Sequence, residues 1–412
     1  MTLPRSFRLT RFAAITLAGA VGLAVPVNQA LAQTLQLDTS LTVSGSGSTF
    51  MSNFVEQCKA DVKKSFNINL TYQASGSGAG RSAFINATTD FAGSDVAFTK
   101  NELASVKNPF VYIPITIGGI AVIYKVPGVT DLRLSGPTLA KIFGGSIAKW
   151  NDDAIAKENP GATLPSETIR VIVRSDSSGT SNVFTDYLDT AGGGNWKKGV
   201  TSTFPVPAGT GVAQRGSDGV TNYVAGAQGN FAITYAESSF AEERKLSVAK
   251  VINTAGESVS PEPAAIAEAM SDAKTQDDGT LFLNFLTAKP NAYPISTTAY
   301  LIAPQTIDAK KGDVLRTFLT YALGGCQAKA DRLGYAPLPK NLVDLGLAAL
   351  AKVNPGSAPV PTLAGSGSAP AGTATTIAAV PTTKASAAPT TAKKATKKVT
   401  TTKKKPTTTK KK

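Results

Sequence analysis

The residues Arg174-Ser175-Asp176-Ser177-Ser178-Gly179-Thr180 gather the groups that hold an oxyanion. Arg174 carries a planar fork of donors matched to such a ligand. Ser178 and Thr180 add hydroxyls, and Gly179 lets the backbone come close. The β-branched run Ile169 to Val173 before the loop reads as a buried strand. After it, Val183, Phe184, Tyr187 and Leu188 recur at helical spacing. A helix start placed there leaves its first N–H groups without partners and turns the positive end of its dipole outward. A single loop of this kind also fits a capped helix with a surface arginine.

Two more junctions have the same construction. Leu41-Thr42-Val43 leads through Ser44–Thr49 into the amphipathic run Phe50 to Phe66. Leu70-Thr71-Tyr72-Gln73 leads through Ala74–Gly80 into Arg81-Ser82-Ala83-Phe84-Ile85. Three helix starts aimed at one point can offset the desolvation of a small dianion. Each dipole contributes about 0.3–1 kcal/mol and each charge-assisted hydrogen bond about 1.5–3 kcal/mol. Asp95 ends the short strand pattern Phe91-Ala92-Gly93-Ser94, and two roles stand open for it. It caps a turn before Val96, or it faces the ligand, where an ionised carboxylate only accepts hydrogen bonds. In the second role it repels sulfate and pairs with a phosphate that still carries a proton.

Other chemistries lack their parts. The chain has no histidine and two cysteines, which removes the usual general base, the Ser-His-Asp and Cys-His arrangements and a zinc site. Gly76–Ser82 departs from a nucleotide phosphate loop in spacing and has Arg81 where lysine belongs, and no Gly-x-Ser-x-Gly elbow occurs. The hydroxyls are therefore donors rather than nucleophiles. No catalytic residue, metal or cofactor is expected, and the protein is not expected to be an enzyme.

The charge of the chain is uneven. Of the formal +14, three arginines lie in residues 1–32 and eleven lysines in 353–412, segments without acids, so residues 33–352 are neutral. Composition thus implies no nucleic-acid groove. Arg5, Arg8 and Arg11, the apolar run Phe12 to Val25 and Ala30-Leu31-Ala32 form a signal-peptide pattern over residues 1–32. The protein is expected to be secreted, periplasmic or cell-envelope associated. In that oxidising space Cys58 and Cys326 either form one bridge or stay as two buried thiols. Residues 353–412 are rich in Pro, Ala, Gly, Ser, Thr and Lys, a composition expected to stay disordered. Their lysines suit anionic cell-wall polymers.

Strand and helix patterns alternate around these loops, which indicates an α/β fold. The long extended run Val111 to Tyr124, interrupted by Pro114 and Gly118-Gly119, suits a strand passing from one lobe to another. Residues 191–230 read as loop-rich, with a helix from Val220 to Ala227. Tyr293 to Ala303 reads as the chain returning.

Several ordered motifs resemble the periplasmic substrate-binding proteins of phosphate-specific ABC transporters. They are Gly47-Ser48-Thr49-Phe50, Tyr72-Gln73 with Gly76-Ser77-Gly78, Asp90 to Asp95, Leu139 to Phe143 with Lys149-Trp150-Asn151-Asp152, Arg174 to Thr180, and Leu333 to Pro339. The resemblance implies a two-lobed α/β periplasmic-binding-protein fold of type II, each lobe a mixed sheet flanked by helices, with the ligand cleft between them. Lobe I would span 34–116 and 295–352, and lobe II 117–294. By motif match the phosphate ligands would be Ser48, Thr49, Phe50, Ser77, Asp95, Arg174, Asp176, Ser178, Gly179 and Thr180. Asp95 would accept the phosphate proton, Asp176 would orient Arg174, and the Ser178–Thr180 helix start would donate. A monomer delivering inorganic phosphate to an ABC permease is implied. The alternatives are a sulfate-type oxyanion binder, a secreted phosphatase and a cell-wall adhesin. Ser48 and Ser177 depart from the usual pattern, as does the lysine tail.

Overall fold

The computed structural model describes residues 37–360. The expected signal peptide and nearly all of the expected tail lie outside them. Along the backbone of the fold runs one mixed sheet, in the order Asn69–Ala74, Thr42–Gly47, Phe91–Ser94, Ser296–Pro304, Phe110–Lys125, Ala232–Glu237, Arg170–Arg174, Gly211–Gln214. The first three strands are parallel to one another, as are the last three. The two middle strands lie antiparallel to their neighbours.

The central strand Phe110–Lys125 is buried along nearly its whole length, which explains its largely apolar sequence. Its pairing changes hands midway. Phe110 to Gly119 face Pro304 to Ser296, and from Ile120 onward the partner is Glu237 to Ala232. Pro114, which has no N–H to give, sits beside the irregularity between Ala299 and Tyr300.

Helices cover both faces. Ser52–Phe66 and Ala309–Leu323 pack on the first half of the sheet, bringing Phe54, Val55, Phe318 and Leu319 into the core. Gly136–Gly144 and Gly179–Ala191 pack together in the second half, where Phe143 and Phe184 meet edge to face at 4.8 Å. Cys58 and Cys326 form a disulfide between Ser52–Phe66 and the turn after Ala309–Leu323. Among the described residues no helix is long and apolar enough to cross a membrane.

Three expectations are corrected. Ser44–Gly47 is strand rather than loop, because small residues are needed where strands crowd. A side chain at Gly45 would overlap the Phe91 ring, and one at Gly47 would overlap the Gly93 carbonyl. The helix expected from Val220 begins at Gly216, after a short strand Gly211–Gln214 that the loop-like composition hid. At the start of the expected tail, Val353 is buried and the Asn354 side chain bonds the Ile307 N–H and carbonyl, both at 3.0 Å.

Candidate functional site

Five strand–turn–helix or strand–turn junctions leave the carboxyl ends of the parallel strands, where open α/β sheets place ligands. They are Ser48–Met51, Ser75–Gly76, Asp95, Ser175–Ser178 and Arg215. The sequence grouped three of them with the strand-end Asp95, and the structure brings all of these to one place. Gly78 N–H donates to the Ser177 carbonyl at 2.9 Å, so turns a hundred residues apart in sequence are in direct contact.

Asp95 lies at the centre of the cluster, 4% exposed. Its Oδ1 accepts the Ser48 hydroxyl, and its Oδ2 accepts Thr180 Oγ1 at 3.1 Å. Ser77 Oγ stands 3.4 Å from the Asp95 amide. A methyl group at Gly179 would sit 2.5 Å from Ser77 Oγ and 2.8 Å from Asp95 Oδ2, so only glycine permits this approach. Burial pushes the Asp95 carboxyl above its ordinary value, opposed by the Ser48 and Thr180 hydroxyls and then by the charges of Arg174 and Arg81.

Arg174 ends its strand 2% exposed. Its Nε and Nη2 hold Asp176 in a fork at 2.8 and 2.5 Å. Its remaining nitrogen, Nη1, is buried and has no partner among the described residues. A buried charged donor left unpaired is costly, so this nitrogen marks a position for an acceptor. Asp176 also accepts Gly216 N–H at 2.9 Å. Burial alone would raise the Asp176 carboxyl, but the hydrogen bond and charge of Arg174, with the Gly216 amide, hold it below the ordinary value.

The helix starts behave unequally. Ser178 Oγ accepts Ser181 N–H at 3.1 Å as the cap of Gly179–Ala191, and Ser178 N–H goes to the Ser202 carbonyl at 2.9 Å. Its amide is therefore spent, contrary to expectation, and only its hydroxyl proton is left to give. Gly179 and Thr180 lie at the first helical positions, whose N–H groups have no partner inside the helix. Phe50 turns its ring into the core, edge-on to Tyr335 at 6.2 Å, and its N–H donates to Ser48 Oγ at 3.0 Å.

Composition did not reveal Ser217. Its hydroxyl lies 2.8 Å from Thr49 Oγ1, and its N–H donates to the same oxygen at 3.2 Å. The Gly216-Ser217 pair after Gly211–Gln214 repeats the strand–Gly/Ser–helix pattern, and that repetition was the available signal. Arg81 was noted only as out of place in a phosphate loop. It is buried, paired with Glu102 at 3.1 Å and bonded to Ser94 Oγ at 3.0 Å, which sets a positive charge behind Asp95. Among the described residues no group of three His, Cys, Asp or Glu could hold a metal ion.

The arrangement can wrap one small oxyanion with a fixed cation, hydroxyls and helix amides, while presenting one carboxylate to it. The chain as a whole is similar to known proteins. Residues 32–325 match the family model described as a PBP superfamily domain. The chain is 39% identical to the phosphate-binding protein PstS2 of Mycobacterium bovis, over 72% of this chain and 83% of that protein. It is 38% identical to PstS 3 of Mycobacterium leprae with the same coverage, and 34% identical to PstS of Xylella fastidiosa over 78% and 88%. Among solved structures, the high-affinity periplasmic phosphate-binding protein PfluDING, bound with phosphate, superposes with a TM-score of 0.62. That pair shares 26% identity, over 75% of this chain and 93% of the other. With a family model matched over most of its length and relatives at this identity, the chain belongs to the phosphate-binding PstS family of the PBP superfamily.

Proposed function

We propose that this protein captures inorganic phosphate outside the cytoplasmic membrane and delivers it to an ABC permease for import. The observation that carries the binding half is Arg174 Nη1, a buried cationic donor with no partner among the described residues. Arg174 lies close enough for its charge to act on Asp95, which is in contact with Ser77, Gly179 and Thr180. In this reading Arg174, the Gly179 and Thr180 amides and the Ser77 and Ser178 hydroxyls donate to the phosphate oxygens, while the Thr180 hydroxyl stays on Asp95. Asp95 accepts the proton the phosphate carries. Asp176 orients Arg174, and Thr49 with Phe50 shapes the opposite wall. The names of the relatives and of the phosphate-bound neighbour support phosphate as the ligand.

Lobe I is assigned to 34–116 and 295–352 and lobe II to 117–294, the cleft closing about the crossings near Gly118-Gly119 and Ile295. The permease, a periplasmic or envelope location, a monomeric state and a hold on anionic wall polymers by the C-terminal lysines complete the proposal. No turnover is assigned. Isothermal titration with phosphate and sulfate tests it: micromolar or tighter phosphate binding with sulfate far weaker is expected. Equal affinity for both, or hydrolysis of a phosphomonoester, refutes it.

A further inference from the structure

Ser48 holds a place in the site that contact with phosphate does not explain. It is 1% exposed and fixed at every polar atom. Its N–H donates to the Gly93 carbonyl at 2.9 Å, its carbonyl accepts Tyr72 OH at 2.8 Å, and its Oγ accepts Phe50 N–H at 3.0 Å. The one proton of its hydroxyl goes to Asp95 Oδ1. A hydroxyl has a single proton, so Ser48 cannot donate to Asp95 and to a ligand together.

We infer that Ser48 is a positioning residue that keeps Asp95 an ionised acceptor and so sets the preference for a protonated oxyanion over a proton-free one. The inference rests on the phosphate reading above and deepens it. With Ser48 on Oδ1 and Thr180 on Oδ2, the carboxylate has hydroxyl donors on both oxygens. Its remaining lone pairs can only accept. The charged and titratable groups around it are Arg174 on Arg170–Arg174, Arg81 on Ser77–Ile85 and Tyr72 on Asn69–Ala74. Burial keeps Tyr72 neutral, and both arginines are engaged, with Asp176 and with Glu102. Burial works against ionisation of Asp95, so each donor counts. Removing the Ser48 hydroxyl favours the protonated carboxyl, which can donate to sulfate.

The test is calorimetric competition between phosphate and sulfate, from pH 5 to 9, on wild type, Ser48→Ala and Ser48→Cys. In Ser48→Ala the pH below which sulfate competes is expected to move up by about one to two units. At any fixed pH above that point, sulfate affinity is then about tenfold higher in the variant for each pH unit of the move. Phosphate affinity is expected to change by less than about fivefold, well under the tenfold that one lost hydrogen bond of 1.4 kcal/mol gives. Ser48→Cys, a near-isosteric weaker donor, is expected to fall between, and it carries the test if the alanine variant does not fold. An unchanged phosphate-to-sulfate ratio, or a parallel loss of both ligands at every pH, overturns the inference while leaving phosphate binding intact. Wild type that fails to bind phosphate overturns the underlying reading instead.

Discussion

Arg174→Met removes a cation that faces two clients, and the consequences are separable. The methionine keeps most of the stem and gives up every donor. In the folded protein Asp176 then stays largely shielded from water with only backbone amides, chiefly that of Gly216, for support. Breaking a buried pair from one side costs about 3–5 kcal/mol of stability. For the ligand, loss of Nη1 removes a charge-assisted bond of about 1.5–3 kcal/mol. The uncovered Asp176 charge then repels the anion, so a total loss of about 3–5 kcal/mol, or roughly 10²–10⁴ in affinity, is expected. The stability deficit must depend on pH. Without Arg174, burial lifts the Asp176 carboxyl above its unfolded value, so the folded state retains the proton longer and the deficit grows as pH rises. Denaturant midpoints at pH 5 and pH 8, with phosphate calorimetry at each, measure both effects. The double variant Arg174→Met/Asp176→Asn is expected to recover most of the stability and little of the affinity. Recovery of phosphate binding to within tenfold of wild type would refute the role given to Nη1.

Other outcomes follow from the same geometry. Gly179→Ala drives a methyl against Ser77 Oγ and Asp95 Oδ2, and phosphate affinity is expected to fall at least about tenfold with stability changed by less than about 2 kcal/mol, read by calorimetry and thermal melting. Glu237 is pushed up to about 8 by burial, against bonds from Ser239 and Ser238. The folded state therefore keeps its proton between about pH 4.5 and 8 while the unfolded chain loses it, and stability falls as pH rises through that window. Glu237→Gln is expected to flatten the fall in melting temperature between pH 5.5 and 8.5. An equal fall in both proteins counts against it. Cys58→Ser/Cys326→Ser opens a link across 268 residues and is expected to cost about 2–5 kcal/mol, measured by denaturant unfolding.

Much of the site was legible because its parts are local. Asp95 at the end of a four-residue apolar strand, and Arg174 with Gly179 between a strand and a helix, are fixed by neighbours within a few positions. What escaped depended on distant partners. Ser217 matters because its turn meets Thr49, 168 residues away. The strand before it is four residues, three half-buried and Ala213 exposed, with no apolar pattern to announce it. Gly45 and Gly47 read as loop because glycine and serine favour turns. Their reason is the Phe91 ring and the Gly93 backbone on the adjoining strand. The spent amide of Ser178 turns on the carbonyl of Ser202, which lies in a stretch with no periodicity at all.

The hand-over along Phe110–Lys125 bears on how fast such a cleft can work. Each half of that strand keeps its own ladder, and the switch falls at the step from Gly119 to Ile120, across which one bond remains, Ile120 N–H to the Ile295 carbonyl at 2.8 Å. If the two lobes proposed above move against each other, the motion would twist this junction and strain that one bond instead of rupturing rows of hydrogen bonds. On that reading capture is expected to be governed by encounter with the ion, and release by whatever pries the two sides apart.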